Sequence, residues 1–246
     1  VLALTRDGVA ISQVKEALDD GRFSTELTAR KAPWSGYRRR FAAAIAAFDE
    51  PALEAIYAEA LALQPVDTVD RMLLMPMLSE LGERWSKVVG GVAEEHFFSA
   101  YVRNKIGARF HHRRTLEEGP KILAACAPGE QHEIGLLLFA LAAHDAGIRV
   151  VLLGANVPFR ETAAAANQAQ CDAIVISNAI EPRSPDFYTE LAALVTAAKR
   201  SVYVGGRAVS SRQKEIEMAG AVPLDTSIES AVRRLTSEIR RGRERR

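Results

Sequence analysis

Ala173-Ile174-Val175-Ile176 is an unbroken apolar run. Its shortness and β-branched content mark a strand buried on both faces, the kind found in the middle of a parallel sheet. It predicts a strand over Ala173–Ser177. Working outward, strands are expected at Lys121–Ala127, Arg149–Leu153, Ser201–Val204 and, more weakly, Val222–Leu224. Helical patterns separate and follow them: Gln131–Ala146, Arg160–Gln170, Pro185–Arg200, Ser210–Ala219 and Ser227–Arg240. Strict β–α alternation implies a parallel sheet covered on both faces. The expected fold from residue 119 to 246 is a flavodoxin-like (Rossmann-like), five-stranded parallel sheet.

Upstream of Gly119–Pro120 the chain changes character, with helical periodicity and almost no strand signal. Leu53, Ile56, Tyr57, Ala60 and Leu61 recur as one face of a helix. A second helix is read from Val66 to Trp85, with Pro76 expected to kink or weaken it. Gly90–Gly91 allows a tight reversal into a helix from Val92 to Leu116, and an earlier helix over Tyr37–Phe48 completes a four-helix bundle across residues 31 to 118. Residues 1 to 30 stand apart as a turn and a short helix with Ser12 as a possible cap.

Composition bounds the function. Among 246 residues, 48% are hydrophobic and 26% charged, and net charge is +1, so the whole chain carries no strong field for nucleic acid. The arginine clusters at Arg38–Arg40, Arg113–Arg114 and Arg240–Arg246 read as solvated surface. Cys126 and Cys171 read as buried thiols of a cytosolic protein. No apolar run approaches the roughly 20 residues needed to span a bilayer. The opening Val1–Leu4 is broken by Arg6 and Asp7, unlike a signal peptide. A first residue other than Met leaves room for a preceding domain.

In a doubly wound sheet of order 2-1-3-4-5, ligands bind beyond the carboxyl ends of strands 1 and 3. Strand 1 is followed by Gly129-Glu130-Gln131-His132-Glu133-Ile134-Gly135, strand 3 ends in Ser177-Asn178-Ala179, and strand 4 ends in Gly205-Gly206. These residues converge on the expected crevice although they are distant in sequence. A neutral imidazole binds metal through one nitrogen while a carboxylate on the other fixes its tautomer. Glu130 is placed to do this for His132, with Ser177 as a second partner. Glycines let a bulky ligand approach the backbone.

The pattern Glu130-x-His132-x-x-Gly135, then Ser177-x-Ala179, then Gly205-Gly206 resembles the cobalamin-binding domain motif, Asp-x-His-x-x-Gly, Ser-x-Leu and Gly-Gly. Forty-one residues lie between Gly135 and Ser177 and twenty-five between Ala179 and Gly205, in agreement with that motif's spacing. Glu130 and Ala179 depart from the commoner Asp and Leu. The resemblance implies that His132 is the lower ligand of cobalt, that Glu130 tunes it, and that Ser177, Ala179, Gly205 and Gly206 line the channel for the nucleotide tail.

Trp85, nine residues, then Glu95-His96 resembles the Trp-x9-Glu-His signature of the CarH-like, MerR-family light-dependent transcriptional regulators. In that family the bundle covers the upper face of adenosylcobalamin, which assigns Trp85, Val92, Glu95 and His96 to the ligand. Leu4–Leu18 resembles the end of a MerR-type DNA-binding domain. The resemblance implies a non-enzymatic, cytoplasmic sensor that reaches operator DNA through a missing N-terminal domain, forms a homo-oligomer (dimer or tetramer) and has no membrane partner. One departure is Ser86, where the best-known members carry a histidine that ligates cobalt after photolysis. The rival expectation is a corrinoid carrier protein serving a methyltransferase. A third is a regulator that keeps the fold without cobalamin. No substrate barrel is present for a mutase.

Overall fold

The structure is a computed structural model and describes residues 34–84, 88–182 and 184–244. The expected N-terminal segment, Trp85 and Ser86 lie outside the described residues. The chain forms two compact units, one through Tyr101 and the other from Val102. The division therefore falls within a helix, upstream of the composition change at Gly119.

The first unit is helical: α1 (Trp34–Ala46), α2 (Glu50–Leu63), α3 (Val66–Val69), a π-helical turn (Asp70–Leu74), α4 (Met75–Arg84) and the start of α5 (Gly91–His112). Asp49 caps α2 by accepting a 2.9 Å hydrogen bond from the Ala52 amide, and Pro51 in the first turn sacrifices no helix bond. The weakness expected near Pro76 is relocated: the helix widens into the π turn just before it, a known way of absorbing an interrupted hydrogen-bond ladder. The buried Tyr57 hydroxyl donates to Asp70 in that turn at 3.4 Å. Gly90 takes φ +91°, open to glycine, and reverses the chain into α5 as expected.

Aromatic rings pack within a largely aliphatic bundle core. Phe41 and Phe98 are fully buried and meet edge to face with centroids 5.9 Å apart. Tyr101 donates to Glu54 at 2.9 Å and Tyr37 to Glu59 at 3.2 Å, so buried rings keep their hydroxyls satisfied at the edge of the core. Burial first, and then the neighbouring Glu54, raise the Tyr101 hydroxyl far above its ordinary range.

The second unit is the α/β domain: β1 (Lys121–Cys126), α6 (Ile134–Asp145), β2 (Arg149–Gly154), α7 (Phe159–Gln168), β3 (Ala173–Ser177), α8 (Phe187–Ala198), β4 (Ser201–Gly205), α9 (Val209–Met218), β5 (Val222–Pro223) and α10 (Ile228–Glu244). All strands pair in parallel, in the order β2-β1-β3-β4-β5. Apolar clusters cover the sheet on both sides. One centres on Ile174 and Ile176 with α7, α8 and α9, the other on Ala173 and Val175 with α6 and α10. The run Ala173-Ile174-Val175-Ile176 alternates between these two cores, which is why no polar residue interrupts it.

α6 starts at Ile134, three residues later than the periodicity suggests. The delay has a local cause: the Glu130 carboxylate captures the His132 amide at 2.8 Å, holding the intervening residues in a loop. No helix among the described residues is long and apolar enough to cross a membrane.

Candidate functional site

The register of the sheet assembles the site. Cys126 pairs with Ser177, and Ser177 with Gly205, so three strands end level with one another. The loops that follow carry Glu130 and His132 after β1, Asn178–Ile180 after β3 and Gly206 after β4. The switch point lies between β1 and β3, where the strand order reverses.

Glu130 organises the loops. Its carboxylate is only 1% exposed. Oε1 lies 2.6 Å from His132 Nδ1 and accepts from the His132 amide at 2.8 Å. Oε2 accepts from the amides of Ala179 at 2.7 Å and Ile180 at 3.0 Å. Burial alone would push this carboxyl up. The bonds from the His132 ring and amide and from the Ala179 and Ile180 amides outweigh it and hold the group below its ordinary value. An ionised carboxylate beside Nδ1 calls for a proton on Nδ1, and in the neutral ring the lone pair then lies on Nε2. The ring itself is 55% exposed.

The loop after β2 joins the same cluster. Asn156 adopts φ +52°, accepts from the Gly129 amide through its side chain at 2.7 Å, and donates its own amide to the Glu130 carbonyl at 2.9 Å. Asn156, Asn178 and Ile180 are site residues that the motif reading did not include. Asn178 stands in the strand-end triplet Ser177-Asn178-Ala179, and Asn156 carries a different sequence signal, the tolerance of asparagine for left-handed backbone. Ile180 contributes a main-chain N–H, which no side-chain pattern reveals. Ala179 also acts through its amide.

The glycines divide into two kinds. Gly206 has φ +109°, and a Cβ there would run into the Asn178 carbonyl, so backbone packing explains it. Gly135 has no such reason: a Cβ would meet nothing within 4 Å, and its φ is ordinary. Gly205 is intermediate, since a Cβ would lie 3.8 Å from Leu224, an ordinary contact. Ser177 is half-buried beside Cys126, whose thiol burial pushes up to about 12, with the Ser177 hydrogen bond opposing.

Within the helical unit, Glu95 Oε2 lies 2.8 Å from His96 Nδ1, and Ser99 Oγ donates to Glu95 Oε1 at 2.5 Å. His96 is 74% exposed, and Val92 is exposed one turn earlier on α5.

Among the described residues no group of three or more His, Cys, Asp and Glu side chains could hold a metal ion. A single histidine with a fixed tautomer suits a metal that brings its other ligands in a macrocycle. Open space at Gly135, three residues from His132, fits the bulk of such a group. The residues present thus fit a corrinoid.

The fold and this site define the class of cobalamin-binding domains. Residues 120–231 match the B12 binding domain family, and residues 37–109 match a second family also described as a B12 binding domain. The chain is 33% identical over 225 residues to the HTH-type transcriptional repressor CarH of Myxococcus xanthus, an alignment spanning 87% of this chain and 75% of that protein. It is 29% identical over 194 residues to the repressor CarA of the same organism, spanning 78% of this chain and 65% of CarA. The chain belongs to the CarH-like family of transcriptional regulators with cobalamin-binding domains. Its fold is also similar to that of the Methanosarcina barkeri monomethylamine corrinoid protein, with TM-score 0.68 and 16% identity over 83% of this chain and 99% of that one.

Proposed function

We propose that this chain is the cobalamin-binding sensory module of a cytoplasmic transcriptional regulator, in which adenosylcobalamin and light control oligomerisation and operator binding. The observation that carries this reading is the pinned imidazole: Glu130, anchored by two β3-loop amides, holds His132 Nδ1 at 2.6 Å. Bound cobalamin would supply a cobalt centre with a light-sensitive upper carbon bond. His132 would hold that metal through Nε2, with Glu130 keeping the Nδ1 proton in place. Gly135, Ser177, Ala179, Gly205 and Gly206 border the nucleotide tail. Trp85, Val92, Glu95 and His96 serve the upper group. Ser86 offers a hydroxyl where the best-known family members carry an imidazole.

The regulatory step would be a population shift, in which the loaded protein favours one arrangement with its dimer or tetramer and the protein after illumination favours another. DNA contact belongs to an N-terminal HTH domain, as the names of the relatives suggest. The test is the visible absorption spectrum of the protein with adenosylcobalamin in the dark and after green light, beside His132→Ala. A bound spectrum that depends on His132 and changes on illumination supports the reading. Absence of any uptake removes it.

The fold likeness to a corrinoid protein favours a second reading, a corrinoid carrier for a methyltransferase. Methyl transfer to or from the bound cobalt with a partner enzyme, without a stable photoproduct, would select it.

A further inference from the structure

The amides of Ala179 and Ile180, which hold the Glu130 carboxylate, lie between two clamps. Before them, the Asn178 amide donates to the Gly205 carbonyl at 2.8 Å, and the Asn178 carbonyl accepts from the Ala208 amide at 3.3 Å. The bare backbone of Gly206 closes against Asn178. After them, Glu181 Oε1 accepts from Ser211 Oγ at 2.8 Å, and Glu181 Oε2 accepts from Arg212 Nε at 2.9 Å. Ser211 and Arg212 lie in the first turn of α9, and Arg212 leaves helical geometry with φ −128° and ψ 23°. That helix contains no proline or glycine, and at its bend Ser211 Oγ also lies 3.0 Å from the Ala208 carbonyl, a side-chain bond to the backbone that accompanies helix bending. The bend falls at the residue that grips Glu181.

A carboxylate is a rigid planar unit. Its Oε2 is fixed by the two amides and its Oε1 by His132, so any movement of the amides turns the oxygen that faces the imidazole. We propose that Glu181, held by Ser211 and Arg212, is a positioning residue for His132, acting through the Ala179–Ile180 amides and Glu130. For its ligand arm this rests on His132 being the cobalt ligand. The orienting effect itself is a property of the ligand-free protein.

The test compares wild type with Glu181→Ala, Arg212→Ala, the double variant, and Glu215→Ala. The last removes only the neighbouring 3.1 Å bond from Arg212. Three quantities are read: ring-nitrogen resonances of His132 and amide exchange at Ala179 and Ile180, both in ligand-free protein, and uptake of aquocobalamin. Glu181→Ala is expected to shift the His132 ring resonances, speed exchange of both amides and weaken uptake about fivefold. That loss is smaller than for a residue touching the ligand's partner directly, because the clamp is solvent-exposed and one step further out. Arg212→Ala is expected to act in the same direction, adding little in the double variant because both remove one clamp. Glu215→Ala is expected to leave all three readings as in wild type. A Glu181→Ala protein whose His132 resonances and two amides match wild type overturns the proposal, whatever its melting temperature. If wild type takes up no cobalamin, the cofactor reading fails separately, and the ligand-free resonances still decide the clamp.

Discussion

Glu130 Oε1 and His132 Nδ1 stand 2.6 Å apart, two residues distant in sequence, with the other carboxylate oxygen tied to main-chain amides forty-nine and fifty residues downstream. One buried side chain thus welds a β1 loop to a β3 loop and orients an imidazole. Replacing Glu130 with Gln should preserve its volume but lose the charge that keeps the proton on Nδ1. Cobalamin affinity is expected to fall about 10- to 100-fold, the usual effect of removing a ligand's hydrogen-bond partner. Equilibrium titration by absorbance measures this, and unchanged affinity would show that the carboxylate does not tune His132.

Gly206→Ala should destabilise the ligand-free protein by about 1–3 kcal/mol, because φ +109° and the collision with Asn178 both oppose a side chain. Gly205→Ala should cost less than about 1 kcal/mol, since its Cβ reaches Leu224 at an ordinary 3.8 Å. Urea denaturation of the two variants separates them. Equal stabilities would mean that the loop after β4 relaxes freely, contrary to its close approach to β3.

These two glycines show what the sequence could and could not reveal. Their adjacency and spacing from Ser177 placed them at the end of a strand, and the register pairs Ser177 with Gly205 as that reading needs. The opposite reasons for them depend on Asn178 and Leu224, residues that no local pattern links to either. The same holds around Glu130. Its identity as a carboxylate two before His132 was legible, whereas the amides of Ala179 and Ile180 were not, because every residue but proline carries an N–H. The parallel sheet followed from β–α alternation, the order 2-1-3-4-5 came from the flavodoxin-like fold and matches the sheet, and Ala173–Ser177 has the bounds its apolar run implies. The π turn before Pro76 was not readable, since proline announces a broken ladder but not where the strain is absorbed.

Tyr203 is expected to make stability fall at alkaline pH. The residue is 2% exposed, and burial first, with the Glu238 hydrogen bond second, pushes its hydroxyl up to about 12. An unfolded tyrosine ionises near pH ~10. The folded value is the higher, so this contribution is fully present below pH ~10 and is lost as pH rises toward about 12. Tyr203→Phe should therefore lose less stability than wild type over that interval. Parallel alkaline slopes in denaturation curves at several pH values would refute the assignment.

Gly135→Ala separates folding from ligand binding most cleanly. Glycine is a poor helix residue, disfavoured relative to alanine by about 0.5–1 kcal/mol in a helix interior and by less in a first turn. Gly135 is the second residue of α6, has ordinary φ, and faces open space where a Cβ would stand. Nothing within the chain therefore opposes a methyl group, and the ligand-free variant should be as stable as wild type or slightly more so. Yet the methyl would occupy room beside the His132 loop, in the volume assigned to the ligand's tail. The expected result is an unchanged or raised melting temperature together with weaker cobalamin uptake, and a larger residue such as Gly135→Leu should deepen the second effect. Undiminished uptake in both variants would mean that the tail lies elsewhere, even if His132 still binds the metal. Loss of stability would mean instead that the glycine answers to the fold.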